Sequence, residues 1–315
     1  MTITVTPGTP ESISPDTVAF HPFDALRKTM TNYTTTLVAS ENLSDRAQIK
    51  VPVAPELETI DFVDEGAEIP ETKTQLEEVT IPTRKLAVIK TVSREAIGSQ
   101  NGDALSSMLS AQLFESLYST ADNALFGAST TKGGLTGLSA LKGVETAEVT
   151  NNLDPFVDAI ANVLALRGKE EETVIVAHPG MWAHVAKIKD SKTGARPLVD
   201  TMTASQPFTV PNSAGTIAVD GLSRTVAGDG EIIHVRTLMG IPMFLSPYLD
   251  KGIMLVFDRS NVAVGASPVE ITYSEHAAFK RDALAIRGTY RLGWKVYNPA
   301  RITKLIAPSA ANVAA

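Results

Sequence analysis

The side chains that could carry chemistry are five histidines, a glycine-rich loop with one lysine, and a crowded run of carboxylates; there is no cysteine. Without thiols, disulfides, thiolate metal sites and cysteine nucleophiles are excluded. The histidines are His21, His178, His184, His234 and His276. His178 and His184 stand six apart, which does not place two ligands on one helical face, and no HExxH motif occurs. They read as a strand-end and a helix-surface histidine. The loop GASTTKGGLTG lacks the Gly-Lys-Ser/Thr order that sets a lysine against phosphates, and a helix precedes it where a strand should. No GxSxG elbow and no GxGxxG after a strand is present. No catalytic residue, cofactor or metal is expected.

The carboxylates are the informative set. Glu56, Glu58, Asp61, Asp64, Glu65, Glu68, Glu71, Glu77 and Glu78 face a single base, Lys73, giving a local charge of −8 in a chain of net charge −7. Calcium needs oxygens converging on a tight loop, and these are strung along an extended segment. Residues 280–304 mirror them: Lys280, Arg281, Arg287, Arg291, Lys295, Arg301 and Lys304 against Asp282 alone, or +6. An acidic arm and a basic C-terminal segment in one chain suit binding between copies, because opposite charges steer partners and fix register.

The elements that must position these groups follow from periodicity. Residues 56–92 read as one lopsided hairpin with its tip near GAEIPETKT. Val79 and Ile81 alternate, then the phase shifts to Leu86, Val88 and Val92, which suggests a bulge or twist. The arm has too few apolar residues to make a core, and a lone two-stranded hairpin is marginal in water, so it needs a surface to lie on. Residues 103–126 predict the clearest helix: Leu105, Leu109, Leu113, Leu117 and Ala121 recur at i, i+4, with Asp103 as N-cap and Gly127 as stop. At 1.5 Å per residue it runs roughly 35 Å. A second helix is expected over 153–168, with Asp154 as N-cap, Pro155 in the first turn and Gly168 at the end. Thr173–Ala177 reads as a buried strand, and Pro179 opens another helix with Trp182, Val185 and Ile188 on one face. Short strands follow, and Leu292, Trp294 and Val296 alternate cleanly near the end.

The length of 315 residues, with 43% apolar and 20% charged residues, allows two domains or one elaborate one. A pI near 5.3 argues against a surface given over to nucleic acid. The first twenty residues are rich in Thr, Ser and Pro and lack the pattern of a secretory signal. No apolar run approaches the ~18–20 residues that span a bilayer.

Several segments share one resemblance. FVDEGAEIPETKTQLEEVTIPTRKLAVIKTVSREAI resembles the extended loop of tailed-bacteriophage major capsid proteins with the Hong Kong 97 fold. The helix ending DNALFG and the following GGLTGLS look like that family's spine helix and its Gly-Leu loop. VIVAHPGMWAHVAKIKDSKTGARPL resembles its axial-domain strand and helix, LMGIPMFLSPYL a Gly-x-Pro strand, and FKRDALAIRGTYRLGWKVYNPARI the closing strands. Together they cover about residues 55–307, and their order and spacing carry the signal.

The resemblance implies an α+β fold with a 1–55 N-terminal arm, a 56–92 extended hairpin loop and a peripheral domain at 93–145 carrying the spine helix. An axial domain at 146–265, peripheral closing strands at 266–307 and a 308–315 tail complete it. It implies a structural protein rather than an enzyme, forming pentamers and hexamers of an icosahedral head around double-stranded DNA. Portal and scaffold proteins, a possible decoration protein, assembly in the host cytoplasm and no membrane go with it. Only about 55 residues precede the hairpin, so a separate scaffold or an already shortened chain is expected. Some relatives weld neighbours by a Lys–Asn isopeptide bond with a Glu as base. Here Ile69, Asp282 and Thr289 stand at those positions, so no such cross-link is expected. The interface residues expected are Asp64, Glu65, Glu68, Glu71 and Lys73 on the arm, against Lys280, Arg281, Arg287 and Arg291 on a neighbour. An encapsulin-type compartment shell is the nearest alternative and a soluble α/β enzyme a more distant one.

Overall fold

The computed structural model describes residues 3–4, 30–39, 47–53, 62, 77–97, 102–128, 130–189, 205–207, 211–212, 215–216, 234–267 and 269–308. In chain order the elements are β1 (Ile3–Thr4), α1 (Met30–Thr34), β2 (Thr36–Ala39), β3 (Gln48–Val53), β4 (Glu77–Pro82), β5 (Arg84–Ser93), α2 (Arg94–Ile97) and α3 (Gly102–Phe126). Then come β6 (Glu145–Glu148), α4 (Asp154–Ala165), β7 (Thr173–Ala177), α5 (Pro179–Ala186), β8 (Ser205–Pro207), β9 (Pro211–Asn212), β10 (Gly215–Thr216), β11 (His234–Leu238) and β12 (Ile241–Leu245). The last are β13 (Ile253–Asp258), β14 (Val262–Ala266), β15 (Glu270–Ala278), β16 (Ala283–Val296) and β17 (Ile302–Ile306).

Two large sheets organise the chain. The seven-stranded sheet runs β6-β17-β13-β7-β12-β11-β8. Its central strands, TVIVA in β7 and IMLVFD in β13, are buried along their whole length, as continuous apolar runs covered on both faces must be. Phe156 and Ala159 of α4 and Met181 and Val185 of α5 pack on it. Asp154 is the first residue of α4 rather than its cap; Leu153 occupies the cap position without a side-chain bond. The helix ends in a left-handed turn at Arg167 (φ 63°), where the Gly168 amide donates back to the Val163 carbonyl at 2.8 Å.

The six-stranded sheet is built on β16. One edge of β16 pairs with β5 over ten residues, and the other pairs with β15 and then β14. β1 extends the sheet beyond β5, and β2 extends it beyond β14. The long helix starts one residue earlier than the sequence reading, at Gly102, and lies against this sheet through Leu109, Leu113 and Leu117. Two of the segment boundaries expected from sequence are crossed by the pairing. β14 belongs to the six-stranded sheet, while β17 inserts between β6 and β13 in the seven-stranded one.

The hairpin also differs from its sequence reading. β4 pairs with β3 in a separate two-stranded sheet, with Val53 opposite Glu77 and Gln48 opposite Pro82. The pairing arm is thus 48–53, upstream of the acidic run, and β5 belongs to the main sheet. The phase shift at 83–84 is a change of strand, not a bulge: the chain leaves β4 at Pro82, buries Thr83 and enters β5. The acids Asp64, Glu65, Glu68 and Glu71 with Lys73 lie outside the described residues, as do the short helix start near Phe23 and the tail.

Candidate subunit interface

Alternation along β16 sorts its side chains onto two faces. Even-numbered residues meet α3. A Cβ on Gly288 would sit 3.1 Å from Leu117 Cδ1, and Tyr290 meets Tyr118 edge-on at 5.7 Å. Beyond them, Trp294 Nε1 donates to the Thr136 carbonyl at 2.9 Å, tying the strand to the glycine-rich loop. Odd-numbered residues therefore share the other face. Arg287, Arg291 and Lys295 stand there at four-residue intervals, about 13 Å apart at the usual strand rise. Register adds two neighbours from β5: Lys85 opposite Arg291 and Ile89 opposite Arg287. The result is a row of four bases with an exposed isoleucine (54%) beside it.

The row is not uniform. Arg287 is exposed, and its Nε donates to Thr272 Oγ1 on β15 at 3.1 Å, leaving the guanidinium fork to face solvent. Arg291 is half-buried; its Nη1 donates to Thr83 Oγ1 at 3.4 Å, and its backbone amide donates to Ser267 Oγ at 3.1 Å. Lys85 and Lys295 are exposed. Between Arg291 and Lys295 the sheet has Gly293, because β4 crosses there. A Cβ at that position would collide with the Pro82 carbonyl oxygen and lie 2.8 Å from Thr83 Cα. The C-terminal end of β4 thus packs on the face that carries the bases.

The other sequence-expected bases go elsewhere. Lys280 and Arg281 are exposed in the 3₁₀ turn between β15 and β16. Asp282 closes that turn at φ 42°; its carbonyl accepts from the Arg94 amide, and the Arg94 guanidinium lies 3.0 Å from Glu275 and 3.5 Å from Asp282. Lys280 and Arg281 are therefore at the far end of the sheet from Lys295. Lys304 turns inward to the Ser139 carbonyl at 3.0 Å. Of the acids, Glu78 pairs in-chain with Lys50. Phe62, also described within the acidic run, is fully exposed (109%). Lys85 and Ile89 are absent from the set expected from sequence, since only the β5–β16 register places them beside the basic segment.

The histidines that are described with partners hold structure. His178 Nδ1 accepts from the Gly180 amide at 2.9 Å and caps α5, and His184 Nε2 donates to the Val149 and Thr150 carbonyls, both at 3.0 Å. Among the described residues no group of three His, Asp or Glu side chains could hold a metal ion.

One buried carboxylate is perturbed. Asp122 on α3 is 5% exposed and accepts from the Met30 amide at 3.0 Å, the Thr31 amide at 3.2 Å and Thr31 Oγ1 at 2.8 Å. It caps α1 from a different helix and pins the N-terminal segment to the long helix. Burial pushes its carboxyl up to about 6, against the pull of these three donors. Burial also raises the neighbouring Tyr290 phenol, with Tyr118 and Asp122 adding to the effect.

A sheet of this length with a helix laid along one face, a second sheet stacked with two helices, and a hairpin crossing the first sheet is an architecture with known relatives. The phage capsid family model matches residues 30–306. The chain belongs to the phage capsid family. Solved structures share the fold at low sequence identity. That of Mycobacterium phage Bobi has a TM-score of 0.63 at 15% identity, covering 94% of this chain and 95% of that one. The Gordonia phage Cozz structure has 0.61 at 15%, covering 90% and 87%, and the capsid of an empty GTA particle 0.60 at 15%, covering 89% and 90%. No curated protein matches in sequence. The expected α+β Hong Kong 97-type fold and the reading as a tailed-phage major capsid protein, a structural component of the virion, stand on these matches. No described helix of this capsid protein is long and apolar enough to cross a membrane.

Proposed function

We propose that this capsid protein forms pentamers and hexamers of an icosahedral shell around double-stranded DNA, held without covalent links between subunits. The acidic loop of one copy lies over the basic row Lys85–Arg287–Arg291–Lys295 of the next. The observation that carries this reading is the placement of those bases on the one face of the six-stranded sheet that α3 leaves open, beside an exposed Ile89. Exposed ion pairs contribute only ~0–1 kcal/mol each, so the charges set register and apolar burial holds the contact. A head-to-tail contact of this kind closes into rings when its rotation allows.

Ile69, Asp282 and Thr289 support the noncovalent reading. Ile69 offers no amine, Asp282 is engaged with Arg94, and Thr289 is a buried hydroxyl rather than a carboxylate. Portal, scaffold and decoration proteins and assembly in the host cytoplasm belong to the same proposal, as does the absence of an enzymatic role. The test is electron microscopy of expressed protein with analysis of particle contents. Closed shells that enclose double-stranded DNA in the infected host support the proposal. Shells filled with protein cargo, or a small oligomer at every concentration, refute it.

A further inference from the structure

We infer that residues 30–39 form a strap across the line where the chain passes between the two large sheets, and that the Asp122 side chain is its latch, holding the sheets at one angle. The chain makes two of these passages side by side. One leads from β13 through the 3₁₀ turn Arg259–Asn261 into β14, and the other from β16 through the 3₁₀ turn Pro299–Arg301 into β17. The strands on either side pair with each other, Phe257 with Ile302 in the seven-stranded sheet and Val262 with Val296 in the six-stranded one. Buried Asn261 ties the passages together. Its Nδ2 donates to the Asn298 carbonyl at 2.8 Å, its Oδ1 accepts from the Asn298 amide at 2.8 Å, and its carbonyl accepts from the Tyr297 amide at 3.0 Å. Two adjoining crossings fastened to each other have the geometry of a hinge, a few residues at element ends between two larger bodies.

The strap is attached on both sides of that line. Tyr33 of α1 stacks on Phe244 of β12 in the seven-stranded sheet, with ring centroids 6.3 Å apart and planes 4° apart. β2 pairs parallel with β14 in the six-stranded sheet, and Thr36 Oγ1 donates to the Arg259 carbonyl at 3.1 Å in the crossing itself. Asp122 reaches in from α3, on the six-stranded sheet, and accepts from the Met30 and Thr31 amides and Thr31 Oγ1. The next two hydroxyls of α1 fasten it to nothing else: Thr34 and Thr35 donate back to the Met30 and Thr31 carbonyls of the same helix.

The apolar core shared by the two sheets is non-directional and selects no single angle, whereas hydrogen bonds and pairing do. Among the directional contacts Asp122 carries the most. Without it two amides and a hydroxyl lose their acceptor at a buried site. α1 is five residues long, too short to persist as a helix unaided, so loss of the carboxylate releases the strap.

Spin labels read the angle, and the chain has no cysteine to remove. Val157→Cys on α4, packed on the seven-stranded sheet, and Ile89→Cys on β5, in the six-stranded sheet, put one label at an exposed position on each body. Labelled full-length chain is diluted into unlabelled chain, so that only distances within one chain are read, and hydrogen exchange is followed on the same preparations. The parent should give a single narrow distance distribution. Asp122→Ala should lose that single peak, with the amides of 30–36 exchanging about tenfold or more faster while those of β7 and β13 keep their protection. Faster exchange at 30–36 with an unchanged distance distribution overturns the strap as what sets the angle. Unchanged exchange at 30–36 overturns Asp122 as the latch. Where Asp122→Ala also strips protection from β13, Thr31→Val takes its place, because it keeps the side-chain shape and removes only the hydroxyl bonded to Asp122. The same readings then support or overturn the inference.

Discussion

Asp122→Asn should remove a defined piece of the pH dependence of folding. In the folded chain the Asp122 carboxyl sits near 6, against an ordinary value of 3.8, chiefly because it is buried. A raised carboxyl means that the folded state binds its proton more tightly than the unfolded chain does. Its contribution is therefore fully present below about pH 4 and is lost as pH rises through about 6. The gap of about two pH units corresponds to roughly 3 kcal/mol. Other carboxylates titrate in the same window, so the useful quantity is the difference between wild type and Asp122→Asn. Denaturant unfolding of the unassembled protein at several pH values between about 4 and 7 measures it. The stability of wild type relative to the variant should fall by roughly 3 kcal/mol across that range. A flat difference, or one that grows with pH, would refute the account of Asp122 as a carboxyl disfavoured in its ionised form. Because Asp122 caps α1, limited proteolysis near Met30 should show the same trend, with cutting in wild type increasing as pH rises.

Gly293→Ala should destabilise the chain by about 1–3 kcal/mol or more, because its methyl group meets backbone of β4 that cannot rotate away; unchanged thermal unfolding would show that β4 does not cross there. Leu117→Ala, at a 4% exposed position in the α3 seam, should cost about 2–5 kcal/mol by calorimetry or denaturant melt. Mature particles boiled in detergent should run as single chains, and a ladder of covalent multimers would contradict the noncovalent reading.

The sequence disclosed some parts of this molecule far better than others, for physical reasons. The long helix was legible because the i, i+4 ladder is sustained from Leu105 to Ala121, far longer than a usual strand, and the structure buries Leu109, Leu113 and Leu117 on one side. The short apolar run of β7 was equally plain. The hairpin was not: Ile49, Val51 and Val53 alternate in β3, but the strand is short, contains Pro52, and its partner β4 lies beyond a long loop, so no local pattern reports the pairing register. The change of sheet at Thr83 looked like a bulge for the same reason: one residue out of phase is all that either event leaves in a sequence. Among the interface residues, Arg287 and Arg291 share a face simply because they are four apart in a strand. Lys85 and Ile89 join them only through the β5–β16 register, which no local pattern reports. Lys304 counted as surface charge in the sequence, yet it turns inward to the Ser139 carbonyl.

The central claim is that opposite charges on the acidic loop and on the basic row bring subunits together. Each exposed pair is worth ~0–1 kcal/mol, but reversing a base both removes an attraction and adds a repulsion, and the change repeats at every contact of a closed ring. The most direct measurement is electron microscopy of wild-type and Lys85→Glu/Arg287→Glu protein prepared side by side, with thermal unfolding of both. The account predicts closed shells from wild type and none, or very few, from a variant that unfolds at the same temperature. Shells at normal yield from that variant would contradict it.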